Sequence, residues 1–70
     1  MSNNLTRLTV NLVVPANEAL KSLMNRLKLS QTDIVNRSLQ VYDFIEQERD
    51  KGGEMVIRYE DGSAVKVHML

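Results

Sequence analysis

The sequence lacks cysteine altogether, and its 70 residues include one proline and three glycines. Without cysteine the chain can form neither disulfide bonds nor cysteine-based zinc sites. No apolar run approaches the length of a membrane span, and residues 1–7 carry no apolar signal region. We therefore expect a cytoplasmic protein that makes no contact with a membrane.

The chain is also short of residues for a core, since 70 residues make one small domain. A monomer of this size buries only a marginal core unless disulfides, a metal or a second chain add to it. Disulfides are excluded, so oligomerisation is the usual remaining aid. The sequence therefore predicts that the chain assembles with other copies of itself.

An excess of charge of either sign is missing as well, because nine basic and nine acidic residues give a net charge of zero. Zero net charge argues against a nucleic-acid partner, since neutralising phosphates normally requires a basic excess. The charges are unevenly distributed, however, with a balance of +3 over residues 1–40 and −3 over residues 41–70. The basic half keeps DNA binding open as a function, and a dimer would double both charges.

Constellations that support catalysis or metal binding are absent from the sequence. There is no cysteine nucleophile, no glycine-rich phosphate loop, no carboxylate pair in an apolar setting and no supported His–carboxylate–Ser arrangement. The single histidine, His68, has no ligand partners near it in the sequence. We therefore expect no enzyme activity, no cofactor and no bound metal.

Polar and apolar residues alternate strictly over residues 7–12, a pattern typical of a half-buried strand. The side chains predicted to face the core are Leu8, Val10 and Leu12. The other side presents three groups able to hydrogen-bond base edges, on Arg7, Thr9 and Asn11. No second strand follows until Met55, so the partner strand must come from the C-terminal segment or from another copy.

Two helical patterns follow the predicted strand. The first has apolar residues at helical spacing, and we expect this helix to end near Leu27 or Lys28. The second begins with Ser30 as a cap residue, and we expect it to run over residues 31–49. Phe44 lies off the apolar stripe of this second helix, on its polar side, so this aromatic side chain requires a cover.

Gly52 and Gly53 end the helical region, and the remaining residues predict a β-hairpin with Asp61 and Gly62 in its turn. A two-residue loop places apolar residues opposite polar ones, whereas a three-residue loop with a left-handed Gly62 keeps one apolar face. We therefore expect the second register. Its pairs are Ile57 with Val65 and Met55 with Val67. We expect that face to cover Phe44, within one chain or across a dimer.

Residues 5–49 resemble the ribbon-helix-helix superfamily of transcriptional regulators, the group of the Arc, MetJ and CopG repressors. Residues 7–12 are similar to the DNA-reading strand of that family. The spacing from there to Leu29 and Ser30 matches its first helix and turn, and residues 32–42 are similar to its second helix. Together, these matches suggest a protein of the same superfamily.

The resemblance implies an α+β fold, in which two chains intertwine as a homodimer and their N-terminal strands pair. Residues 1–51 would form this β-α-α domain for DNA binding and dimerisation. Residues 52–70 would add a C-terminal β-hairpin that the minimal fold lacks. Many family members have a glycine where this chain has Lys28, so we expect Lys28 to adopt a left-handed conformation.

The resemblance also implies a function, namely a sequence-specific regulator, most simply a repressor, that reads double-stranded DNA in the major groove with the paired ribbon. The base-reading residues would be Arg7, Thr9 and Asn11. Backbone amides at the start of the second helix would bind a phosphate, at Ser30, Gln31 and Thr32. Dimers would also be able to form higher assemblies on DNA.

A protein-interaction module is the alternative reading of the same sequence. Such a module, or an antitoxin-like protein, would use the fold for dimerisation and the C-terminal hairpin to bind a protein partner. The candidate partner-binding residues are Phe44, Val56, Arg58 and Lys66. The near-neutral charge favours this alternative, whereas the three hydrogen-bonding residues of the N-terminal stretch favour DNA.

Overall fold

A computed structural model describes residues 4–68 of the chain. The elements in chain order are helix α1 (Val14–Leu27), helix α2 (Gln31–Asp50), strand β1 (Met55–Arg58) and strand β2 (Ala64–Val67). The chain divides into two compact units, the first ending at Ile34 and the second beginning at Val35. The order is therefore α-α-β-β, and the overall class is α+β.

The prediction of an N-terminal strand, and with it the ribbon-helix-helix fold, is wrong for this structure. Residues 4–13 belong to neither a helix nor a strand, and Leu8 and Val10 are 67% and 57% exposed. Alternation specifies which side chains share a face, but a strand also needs a partner for its backbone hydrogen bonds. The two strands of the hairpin pair with each other. Neither of them pairs with this stretch, so no ladder forms there within the chain.

Helix α1 forms where the proline fixes the backbone and ends where the chain turns left-handed. Val13 precedes the helix in an extended conformation without a side-chain cap, and Pro15 lies in the first turn, where its missing N–H costs nothing. Lys28 follows the last helical residue with φ 55° and ψ 43°. Both the end of the helix at Leu27 and the left-handed Lys28 confirm the sequence predictions.

Replacing Lys28 with glycine is expected to raise the free energy of unfolding by about 0.5–1 kcal/mol, because glycine adopts a left-handed conformation without the clash of a Cβ atom. Lys28→Ala is the matched control, since alanine removes the ammonium group but keeps the Cβ. Urea unfolding of both variants measures the effect. An equal change in both variants would show that the backbone conformation at this position carries no strain.

Helix α2 is closed at both ends by hydrogen bonds that its terminal residues supply. The backbone N–H of Asp33 donates to Ser30 Oγ at 3.1 Å, as the capping pattern predicts. At the other end, Gly53 donates its backbone N–H to the carbonyl of Glu48 at 3.0 Å, and Gly52 has φ 89°. This arrangement is a Schellman cap, and it confirms the predicted left-handed end.

The C-terminal hairpin has the predicted three-residue loop and register. Met55 pairs with Val67 and Ile57 with Val65, and Gly62 has φ 92°. The loop is closed by the N–H of Tyr59, which donates to the carbonyl of Ser63 at 2.8 Å, and by the N–H of Gly62, which donates to the carbonyl of Tyr59 at 3.0 Å. The register is therefore confirmed. The last two residues of the predicted hairpin, Met69 and Leu70, lie outside the described residues.

An aspartate in the loop fixes the turn. The carboxylate of Asp61 accepts hydrogen bonds from the backbone N–H of Ser63 at 2.8 Å and from its hydroxyl at 2.6 Å. These hydrogen bonds, the one from the hydroxyl foremost, hold the pKa of Asp61 below its ordinary value. The carboxylate is thus the form that stabilises the turn, and its contribution is lost as the pH falls through the lowered pKa.

The core of the described chain is very small. Ile34 is the only buried residue among residues 4–68, with 4% of its surface exposed. Residues 4–68 of the single chain therefore bury little apolar surface, as expected for a small domain that is stabilised by assembly.

Candidate nucleic-acid interface and partner surface

The three predicted base-reading residues lie in one exposed segment just before helix α1. Arg7, Thr9 and Asn11 are all exposed, and none makes a hydrogen bond or ion pair with another described residue. A guanidinium, a hydroxyl and a carboxamide are thus presented to solvent within five residues. A guanidinium pairs with guanine and a carboxamide pairs with adenine, whereas a hydroxyl can hydrogen-bond to more than one base. The segment can reach a base edge without breaking any contact of the fold.

The predicted phosphate site at the start of helix α2 consists of the backbone amides of Ser30, Gln31 and Thr32, all of them exposed residues. The next two amides, those of Asp33 and Ile34, donate to Ser30 and are therefore not available to an anion. The carboxylate of Asp33 lies in the first turn, where its negative charge opposes an anion. Thr32 makes a further interaction. The backbone amides of Ser30 and Gln31 donate to no described residue, so these two are the best phosphate donors of the three.

The two units carry opposite charge. The first unit has four basic residues against two acidic ones, and the second has five against seven, which gives balances of +2 and −2. The basic residues of the first unit are Arg7, Lys21, Arg26 and Lys28. Arg26 is held along helix α1 by a hydrogen bond to Ser22 Oγ at 3.1 Å. An anionic partner is thus favoured by the first unit and disfavoured by the second.

The predicted partner-binding residues all lie in the second unit. Phe44 is 62% exposed, so the hairpin does not cover it within the chain, and cover across a dimer stays a prediction. It lines a shallow concavity of about 340 Å³ at the end of helix α2. The other lining residues are Ile45, Glu48, Arg49, Gly53, Glu54 and Met55. This concavity and the strands of the hairpin form the exposed apolar surface of the second unit.

The candidate partner-binding residues of the hairpin differ in their ion pairs and exposure. Lys66 forms an ion pair with Glu54, with 2.9 Å between Nζ and the carboxylate, whereas Arg58 has no ion-pair partner among the described residues. Val56 is 51% exposed. Sequence reasoning missed Glu54 as a functional candidate, although the predicted register already placed it on the same side of the hairpin as Lys66.

Other kinds of site find no support in the part of the chain that the structure describes. No group of three histidine, cysteine, aspartate or glutamate side chains lies close enough to hold a metal ion there. Neither α1 nor α2 combines the length and apolar character that crossing a membrane demands. The described chain also presents hydrogen-bonding side chains on its N-terminal segment and exposed apolar side chains on its second unit.

Comparisons of the chain with protein-family models, with curated proteins and with solved structures found no match. The described chain presents two candidate surfaces. On one of them, hydrogen-bonding groups lie in a basic unit. On the other, apolar side chains lie in an acidic unit.

Proposed function

We propose that this chain is a cytoplasmic, homodimeric transcriptional regulator that binds specific sequences of double-stranded DNA and acts as a repressor. The observation that carries the proposal is the exposed segment before helix α1, in which Arg7, Thr9 and Asn11 have no partner within the described residues. Side chains that specify a base sequence must be free of competing contacts in the protein and must carry hydrogen-bonding groups. All three residues meet both requirements.

Each of the three side chains has a distinct base preference. Arg7 can donate two hydrogen bonds to a guanine, and Asn11 can exchange two with an adenine. Thr9 can contact either base with its hydroxyl or a thymine with its methyl group. The proposal depends on these side chains and requires no strand in the free chain.

Contacts to phosphate would position the segment on the duplex. The amide of Gln31 and the cations Lys21 and Lys28 belong to the same basic unit as the base-reading residues. Such contacts are independent of sequence and weaken as salt rises. Since the unit has a balance of only +2, we expect a moderate dependence of affinity on salt.

Self-association is the second part of the proposal. It is supported by the small core of the single chain, in which Ile34 is the only buried residue among residues 4–68. Exposed apolar side chains for such a contact are available on the N-terminal segment and on helix α2. They are Leu8, Val10, Leu12, Leu39, Val41 and Tyr42.

The charge of the second unit favours a second candidate function, a protein-interaction module. This unit combines a balance of −2, which repels DNA, with the exposed apolar side chains of Phe44 and Val56. An antitoxin-like protein would bind DNA with one unit and a protein with the other. The two functions are separable by experiment, because they use different residues.

A binding selection from a pool of random duplexes tests the proposed function. At about 50 mM salt we expect the wild-type chain to enrich one sequence motif with two similar half-sites, as a dimer requires. Raising the salt to about 200 mM should weaken binding to all duplexes while the motif stays the same. Failure to enrich any sequence at the lower salt would overturn DNA recognition and leave the interaction module.

A further inference from the structure

The outer edge of strand β1 carries unused backbone hydrogen-bonding groups. Tyr59 donates its N–H to the carbonyl of Ser63 across the hairpin. Because hydrogen-bonded pairs alternate along an antiparallel ladder, the backbone groups of Tyr59, Ile57 and Met55 point toward β2. The N–H and C=O groups of Val56 and Arg58 therefore point away from β2. A free edge of this kind is a template for another strand.

The side chains along this edge are arranged symmetrically about Val56. Glu54 lies two residues before it and Arg58 two residues after it, on the same face of the hairpin. If two copies of the edge pair antiparallel with Val56 opposite Val56, each Glu54 lies opposite Arg58 of the second copy. The edge is thus complementary in charge to itself, which a two-fold symmetric interface requires.

We propose that strand β1 pairs antiparallel with β1 of a second copy about a two-fold axis at Val56, joining two hairpins into a four-stranded sheet closed by two Glu54–Arg58 ion pairs. Glu54 already pairs with Lys66 of its own hairpin, and in the joined sheet its carboxylate also faces Arg58 of the second copy, which has no ion-pair partner among the described residues. The outward backbone groups of Val56 are satisfied at the same time. Met55 comes to lie opposite Ile57 of the second copy, so the apolar face continues across the junction.

The outer edge of β2 does not offer the same match. Its outward positions, Ala64 and Lys66, include no acidic side chain, and pairing centred on Lys66 would place two ammonium groups opposite each other. The geometry therefore selects β1 as the edge that joins two copies.

This inference rests on the self-association in the proposed function and is independent of DNA binding. Amide hydrogen exchange of the wild-type chain at rising concentration tests it directly. We expect exchange at Val56 and Arg58 to slow with concentration, while the outward amides of Ala64 and Lys66 serve as controls and stay fast. Slow exchange at Ala64 and Lys66 instead would overturn the choice of edge.

A charge exchange between two variants tests the ion pairs. In Arg58→Glu two carboxylates face each other, and in Glu54→Arg two guanidinium groups do, so each variant alone should self-associate at least about tenfold more weakly. Their equimolar mixture restores both pairs, and sedimentation should recover the wild-type dissociation constant within about threefold. Lys66→Ala is the control, because it removes the ammonium group that pairs with Glu54 inside the hairpin and keeps both Glu54 and Arg58. This variant should self-associate at least as strongly as the wild type.

The outcomes separate the possible failures. Weak self-association of the mixture as well as of both variants would overturn the proposed pairing, since a damaged hairpin is not rescued by mixing. Wild-type association in every variant would also overturn it, while leaving a homodimer formed through other residues. A wild-type chain that stays monomeric would overturn both the proposed pairing and the proposed homodimer. DNA binding would then be decided by the binding selection alone.

Discussion

Truncating Ile34 to alanine is expected to lower the free energy of unfolding by about 2–4 kcal/mol. Ile34 is the one buried residue of the described chain, so the substitution leaves a cavity at the centre of its core. A protein of this length has a total stability of about 4–10 kcal/mol. The loss is thus a large share of the total, and urea unfolding at fixed protein concentration should show it as a lower midpoint with an unchanged slope.

Two further substitutions control this experiment. Ile34→Val removes one methylene group and should cost about 0.5–1.5 kcal/mol. Leu27→Ala truncates an apolar side chain of the same unit that is 53% exposed, and should cost less than Ile34→Ala. A loss below about 0.5 kcal/mol for Ile34→Ala would contradict the burial of this side chain in the folded protein.

Replacing Arg7, Thr9 and Asn11 together with alanine is expected to abolish preference for the selected DNA sequence. Each good base contact is worth about 1–3 kcal/mol, so losing several weakens specific binding by roughly 10²–10⁴-fold. Folding should be unchanged, because the three side chains are exposed and contact no other described residue. A gel shift with the selected duplex and a scrambled duplex measures the preference.

A composition-matched control separates base reading from loss of charge. Replacing Thr6, Asn25 and Arg37 with alanine removes the same three residue types from exposed positions that are not predicted to read bases. This control should lose some affinity for both duplexes and keep its preference between them. Equal loss of preference in the two triple variants would show that Arg7, Thr9 and Asn11 are not the residues that read sequence.

Local chemistry made several features of the fold predictable from the sequence. The cap at Ser30, the left-handed Lys28 and the glycine end of helix α2 each depend on a few neighbouring residues. The hairpin register followed from one requirement, that Ile57 and Val65 share a face. In each case the interacting residues lie close together in the sequence, so a short stretch of sequence is enough to predict the interaction.

The N-terminal strand could not be predicted in the same way. Alternation over residues 7–12 indicates that one side of this stretch favours an apolar environment and the other side favours water. The pattern does not identify the strand or surface that would provide the apolar environment. The cover for Phe44 has the same problem, since the side chain is exposed in the single chain. Base-reading and partner-binding roles likewise depend on a molecule outside the chain, so they stay predictions.

Native mass spectrometry of the wild-type chain mixed with the selected duplex at low ionic strength tests the central claim, a homodimer that binds a specific DNA sequence. The account predicts one dominant complex, containing two chains and one duplex, and no such complex with a scrambled duplex of the same composition. Equal amounts of complex on the two duplexes, or a single chain on the selected one, would contradict it.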